Sequence, residues 1–438
     1  MSRGVGASCE MKTCNRPRLK LRIVAMLSAF ACLGLPPGAT AVAGKIMLYP
    51  EEQRQLISDW GYDIKQDGKA AALSPEFART LFVEDRMTCL RLPIYGNLGH
   101  PAHPADGQVV ASHYAPMLQA MTNARAARAN VILFASKKLE ERGSFPDWVV
   151  DAKGVVPARY ARMLADYLGF VQAHGFAIDI LGIDNEMEYN HGAITPAKQR
   201  EIVDDLRSLA RQRGFTMPRH LIGPDTFNPN PGWLSTLVQS GWGDRLDMVG
   251  THYYPGPHRP QQQLQRLAQA AGSRPLWHTE LHWQGKAADG FEAARESLAA
   301  FFDCTGQGFS GFAWWDYRRT GVKGGIEKAL TQSTANSHPI RLVNGVTGPG
   351  QFIMRAFRNE AGITVWAINM AVPNADSFRF ELASGAIAGN VGYEQWTASG
   401  STTGAATRLA QNAFTLKLPI KTITKMVVPF PSAGGKRS

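Results

Sequence analysis

AIDILGIDNE (177–186), followed directly by MEYN (187–190), is the stretch on which the fold turns. Its apolar half reads as a buried strand. It lies between two amphipathic helical patterns, PARYARMLADYLGFVQAHG (157–175) and TPAKQREIVDDLRSLARQRG (195–214). Gly175 ends the first. Thr195, Pro196 and Gly214 are the N-cap, first-turn and C-cap signals of the second. A strand between two helices predicts a parallel sheet with helices packed against it. The same alternation extends in both directions. MTCLRLPIYG (87–96), NVILFASKKL (130–139), RHLIGPDTF (219–227), LDMVGTHYY (246–254), RPLWHTELHW (274–283) and GFSGFAWWDY (308–317) read as strands. Helical patterns at 114–129, 231–240, 260–271 and 290–303 separate them, and WGYDIKQ (60–66) with SPEFARTLF (74–82) supplies a first strand and helix. Eight units in roughly 260 residues predict an α/β fold, a closed (β/α)8 TIM barrel over 51–335. No G-x-G-x-x-G follows any strand, which argues against a doubly wound dinucleotide-binding sheet.

After residue 335 the helical period stops. FIMRAF, ITVWAINM, SFRFEL, YEQWTA, FTLKLPI and TITKMVVPF are short strand-like runs separated by turn residues. They predict a C-terminal antiparallel β-sandwich over 336–431, with KIMLYP (45–50) as an added strand. That makes the second domain discontinuous (44–50 plus 336–431). Residues 432–438 read as a disordered tail.

The first 43 residues read as a signal peptide: Arg16, Arg18, Lys20 and Arg22, then the apolar IVAMLSAFACLGL (23–35), then Ala41-Val42-Ala43. The apolar run is too short to span a bilayer comfortably. Secretion or periplasmic export is expected, with no stable membrane insertion after cleavage and a monomeric product. This segment holds six Lys/Arg and one acidic residue, so the remainder keeps +6 of the formal +11. With no basic run interleaved with aromatics, nothing points to nucleic acid. Cys89 and Cys304 are the cysteines outside that segment; both sit in apolar contexts and read as buried free thiols rather than a bridge or a zinc site.

Barrel enzymes carry their chemistry at the C-terminal ends of strands. Those ends offer Arg91 and Tyr95, Asp184-Asn185-Glu186, Asp225, His252-Tyr253-Tyr254, His278 to Trp283, and Trp314-Trp315-Asp316. Glu186 and Glu280 close the fourth and seventh strands, opposite each other across the mouth. Two carboxyl groups about 5–5.5 Å apart are what retaining glycoside hydrolysis requires. Arg91 and the Tyr254 hydroxyl can keep Glu280 ionised. Asp184 and Glu188, alternating with Glu186, are expected to favour its protonated form. Strand alternation turns Asn185 away from them, so it joins the site only if the strand end twists or bulges; Asp184 falls one layer deeper, where it could orient Arg91 or another cation. Trp314 and Trp315 alternate, so one faces the mouth; Trp314 is taken as the sugar-facing one. Tyr95, Trp148, Trp233 and Trp283 are either sugar platforms or packing aromatics. Asp225 either touches substrate or caps the helix that follows.

Asn-Glu closing the fourth strand and Glu closing the seventh resembles clan A of the glycoside hydrolases. Arg91, His252-x-Tyr254 and a tryptophan on the eighth strand match as well. SFPDWV (144–149) is similar to the S-P-P-x-W-M loop of family 30, as is the small β-domain joined by an N-terminal strand. The resemblance implies that Glu186 is the acid/base, that Glu280 is the nucleophile and that Asn185 binds the sugar 2-hydroxyl. No cofactor or metal is implied. The chain departs from family 30 in Met187-Glu188 after Asn-Glu, and in lacking a Gly-rich first strand. Two other readings stand beside this one. His278, Glu280 and His282 alternate and could join Asp184 or Glu186 in a metal-dependent hydrolase. The barrel could also hold polysaccharide without cutting it.

Overall fold

The computed structural model describes residues 44–66, 68–96, 101–138, 145–186, 194–254, 261–282, 290–317, 320–345, 352–371 and 377–430. The expected signal peptide, the C-terminal tail, Glu188 and Trp283 lie outside the described residues.

Eight parallel strands close into a barrel. In chain order they are Asp59–Asp63, Cys89–Ile94, Ile132–Lys137, Ile180–Gly182, His220–Thr226, Met248–Thr251, Leu276–Leu281 and Phe309–Trp314. Seven lie within the runs read from the sequence, and the first starts one residue ahead of its run. They are largely apolar because one face fills the barrel and the other meets the helices. Cys89, Phe134, Ile180, Ile222, Met248 and Trp277 form the inner core. Trp277 fills so much of it that the eighth strand must carry Gly311: a Cβ there would lie 2.2 Å from the indole.

The outer helices obey the local signals. Thr195 accepts from the Lys198 N–H and Asn230 from the Trp233 N–H, each just ahead of a proline. Gly214 closes its helix at φ 75°, a conformation that glycine adopts without strain. Pro157–Ala173 buries Tyr160, Ala161, Leu164, Leu168 and Val171, at helical spacing, against the strands. Removing one such side chain, as in Leu164→Ala, costs about 2–5 kcal/mol.

Ten further strands form one continuous sheet, antiparallel but for one pair, around a second apolar core, and Val150–Asp151 pairs with Gly154–Val155 in a separate small hairpin. Gly44–Gln53 runs antiparallel to His338–Asn344 and parallel to Phe378–Leu382. The strand Gly362–Asn369 is buried along its whole length, which explains its mostly apolar sequence. Val365 and Ala367 face the sheet's own core, while Trp366 and Ile368 join the barrel's outer core. Trp366 stacks on Trp396 at 5.6 Å and donates its indole N–H to Ser333 in the last barrel helix. The β-domain is thereby packed onto the barrel through side chains, not only tethered to it.

Candidate active site

Arg91, fully buried in the second strand, organises the barrel mouth. Its Nη1 lies 2.8 Å from Asp63 Oδ2 and 2.5 Å from Glu280 Oε1. Its Nη2 lies 2.5 Å from Asp225 Oδ2, 2.9 Å from Asn185 Oδ1 and 3.1 Å from Ser136 Oγ. The planar guanidinium thus collects groups from the first, third, fourth, fifth and seventh strands, a task that its fixed fork of donors suits. Lys65 adds a second cation, with Nζ 2.8 Å from Glu280 Oε1 and 2.6 Å from Asn185 Oδ1. His252 adds a third group. Its Nδ1 lies 3.0 Å from Glu186 Oε1, and its Nε2 lies 3.4 Å from Glu280 Oε1 and 3.5 Å from Asp225 Oδ1. The Tyr254 hydroxyl donates to Glu280 Oε2 at 3.3 Å.

These contacts set the charges. Burial opposes ionisation of Glu280, but His252, Lys65 and Arg91 outweigh it and hold the carboxyl well below the usual carboxylate range. Burial likewise opposes the Asp225 charge, and Arg91 and His252 overcome it. For His252 burial favours the neutral ring, yet Glu280, Asp225 and Glu186 push its pKa up to about 9. The imidazolium therefore donates at neutral pH.

Both glutamates reach the site through breaks in strand alternation. The fourth strand ends at Gly182, and Glu186 sits at φ 51°, with its N–H donating to the Asp225 carbonyl at 2.8 Å. The fifth strand shifts register between Pro224 and Thr226, with Asp225 at φ 56°. The seventh shifts against the eighth between His278 and Leu281, which brings Glu280 inward. A bulge lets neighbouring side chains face the same way. Here Asn185 joins Glu186, and Glu280 joins Thr279, whose hydroxyl donates to Asp225.

Asn185 faces the site because the strand end departs from the ladder, the condition on which it was expected there. Other expectations are corrected. Asp184 does not orient Arg91. It lies in the layer between barrel and helices, lining a pocket with Ile194, Gln199 and Trp233. Trp314 points into that layer too. It stacks on Trp60 at 5.5 Å and donates its indole N–H to Thr331, so it cannot touch a ligand in the mouth. Trp315 is half-buried and rests on His282, the residue that follows the seventh strand, at 4.8 Å between rings. Asp225 does not cap the next helix, since Asn230 does. Tyr95 packs on Tyr114, and the indole N–H groups of Trp148 and Trp233 serve the backbone carbonyls of His103 and Ile194.

The alternating set His278, Glu280 and His282 does not converge. His278 packs on Phe312, outside the inner core, with its pKa pushed down to about 3 by burial and by neighbouring His252. Among the described residues, the one trio with metal-ligand potential is Glu186, His252 and Glu280, whose atoms lie within 4.8 Å of one another. As a metal site it fits poorly. The imidazole would have to give up its proton, and Glu280 already bears two cations. Asp63 and Lys65 did not enter the candidate set, although the strand-end rule applied to the first strand selects both.

Neither a family model nor a curated protein matches the chain by sequence. Solved structures do match it by shape. A family 30 endoxylanase from Clostridium papyrosolvens superposes with a TM-score of 0.67 at 16% identity, covering 88% of this chain and all of the other. The fold is that of family 30 glycoside hydrolases. Family 30 xylanase C from Talaromyces cellulolyticus gives 0.63 at 17% identity, over 88% of this chain and 99% of the other. An endo-β-1,6-glucanase gives 0.62 at 15% identity, over 88% and 94%. Enzymes cutting xylan and a 1,6-linked glucan thus share this architecture, so the fold alone selects no sugar.

Proposed function

We propose that the chain is a secreted retaining glycoside hydrolase acting on a β-linked poly- or oligosaccharide. The observation that carries this reading is the pairing of Glu186 and Glu280. Their oxygens lie within 4.8 Å at the barrel mouth. That is close to the separation of about 5–5.5 Å used with retention and short of the roughly 6.5–9.5 Å that inversion needs for a water. The environments are also unequal: Glu280 is held ionised by Arg91, Lys65 and His252, and Glu186 faces His252 alone among the charged groups whose contacts are described.

In the proposed mechanism the Glu280 carboxylate attacks the anomeric carbon as the bond to the leaving oxygen breaks. Glu186 gives that oxygen its proton. Glu186 then takes a proton from water, the water oxygen bonds to the anomeric carbon, and the glycosyl–Glu280 bond breaks with its electron pair returning to the carboxylate. His252 steers Glu186 throughout. Asn185 is fixed through Oδ1 by Lys65 and Arg91, and its amide is the group proposed to meet the sugar 2-hydroxyl.

A panel of polysaccharides, with proton NMR of the first-formed anomer, tests this reading. Retained configuration and loss of turnover in Glu280→Gln are expected, with sugar binding kept. An inverted first product, or full activity in Glu280→Gln, overturns it. Unchanged activity with a chelator separates it from metal-dependent hydrolysis, and absence of any hydrolysis in the wild type would leave a polysaccharide-binding barrel.

A further inference from the structure

Two cations converge on one oxygen of Glu280. Arg91 Nη1 at 2.5 Å and Lys65 Nζ at 2.8 Å both meet Oε1, and His252 Nε2 lies 3.4 Å from it. Among the described residues, Oε2 is met by the Tyr254 hydroxyl alone, at 3.3 Å. Lys65 is itself buried and locked, with its other close partner the Asn185 amide oxygen at 2.6 Å. Its backbone N–H is tied to Asp63 Oδ1 at 2.6 Å, which holds the turn leaving the first strand. Asp63, Asp225 and Glu280 face Arg91, Lys65 and the imidazolium of His252.

We propose that Lys65 is a positioning residue that pins Oε1 of Glu280, makes Oε2 the attacking oxygen, and stabilises the carboxylate as it departs from the glycosyl-enzyme. The inference rests on Glu280 being the nucleophile. The first step turns the Glu280 carboxylate into an ester as Glu186 gives its proton to the leaving oxygen, so one negative charge moves across the site. The second step reverses this: the C–Oε2 bond breaks and its electron pair returns to the carboxylate beside Lys65. Without Lys65 that carboxylate is a more basic and slower leaving group. The second step therefore suffers more than the first.

The test uses the dinitrophenyl β-glycoside that the wild type turns over fastest among xylobioside, cellobioside and gentiobioside. With so good a leaving group the second step limits kcat. Lys65→Met is expected to lower kcat about tenfold, to lower kcat/KM less, to keep the burst of dinitrophenolate that the wild type shows, and to move the acid limb of kcat/KM up by about one pH unit. Lys65→Arg keeps the charge and is expected to keep the wild-type kcat and acid limb. Equal losses of kcat and kcat/KM with no burst and an unmoved limb in Lys65→Met overturn the proposal, as does a limb displaced equally in Lys65→Arg. If Lys65→Met does not fold, Lys65→Gln carries the same expectations. Labelling of the wild type by a 2-deoxy-2-fluoro glycoside is read by peptide mass: an adduct elsewhere than Glu280 sinks the parent mechanism, whatever the Lys65 variants do.

Discussion

Asp225→Asn removes one charge from the buried network while keeping its shape. Asp225 Oδ2 accepts from Arg91 at 2.5 Å and from Ser136 at 3.1 Å, while Oδ1 accepts from Thr279 and lies 3.5 Å from His252 Nε2. An amide with its oxygen toward Thr279 turns its NH2 toward Arg91, donor against donor. Turned the other way, it opposes Thr279 and His252. Breaking a buried pair costs about 3–5 kcal/mol, and Arg91 keeps Asp63 and Glu280, so the lower end, about 3 kcal/mol, applies. Unfolding entropy of about 2.1 cal/mol/K per residue over roughly 390 folded residues converts this to a melting temperature about 4 °C lower. Calorimetry at pH 7 measures it. The pH dependence adds a second condition. Because the folded Asp225 carboxyl lies below its unfolded value, its contribution is full above about pH 4 and is lost only as pH falls through the folded value. The gap between wild type and variant should therefore persist at pH 5 and shrink only in stronger acid. A gap under about 1 °C at pH 7, or one that closes between pH 7 and 5, refutes the reasoning.

Glu186→Gln is expected to slow hydrolysis of natural glycosides by about 10²–10⁴-fold and that of dinitrophenyl glycosides far less in the first step, since these leave without a proton; initial rates on the two substrate classes measure the difference. The His252 pKa is raised to about 9, so its contribution to stability is complete below the unfolded value near 6.5 and lost as pH rises through 9. Melting temperature should fall between pH 7 and 9.5, and His252→Gln should remove that part of the fall. Trp314→Ala should cost about 3–5 kcal/mol of stability in denaturant titration while leaving KM unchanged. Trp315→Ala should do the reverse, raising KM with little loss of stability.

The order of elements was legible because it rests on local rules. Helical periods, the Thr195 cap, the Gly214 stop and apolar runs of strand length all act within a few residues. Eight such units can close in few ways, so the barrel followed. The strand-end rule then found Arg91, Glu186, His252, Tyr254 and Glu280, and it would have found Asp63 and Lys65 had the first strand been read in the same way.

Which way each side chain faces was a different matter. Period-two reasoning holds only while the ladder is regular, and it breaks near Glu186, at Asp225 and between His278 and Leu281. It therefore misplaced Asp184 and Trp314, made the place of Asn185 depend on a bulge, and grouped His278 with Glu280. No local pattern marks these breaks. They persist because a buried guanidinium must meet carboxylates from three strands at once, and an unpaired charge there would cost several kcal/mol. The sequence by itself determined which residues stand at the mouth of the barrel. The folded chain, through the charge that Arg91 must neutralise, decided which of them turn into it.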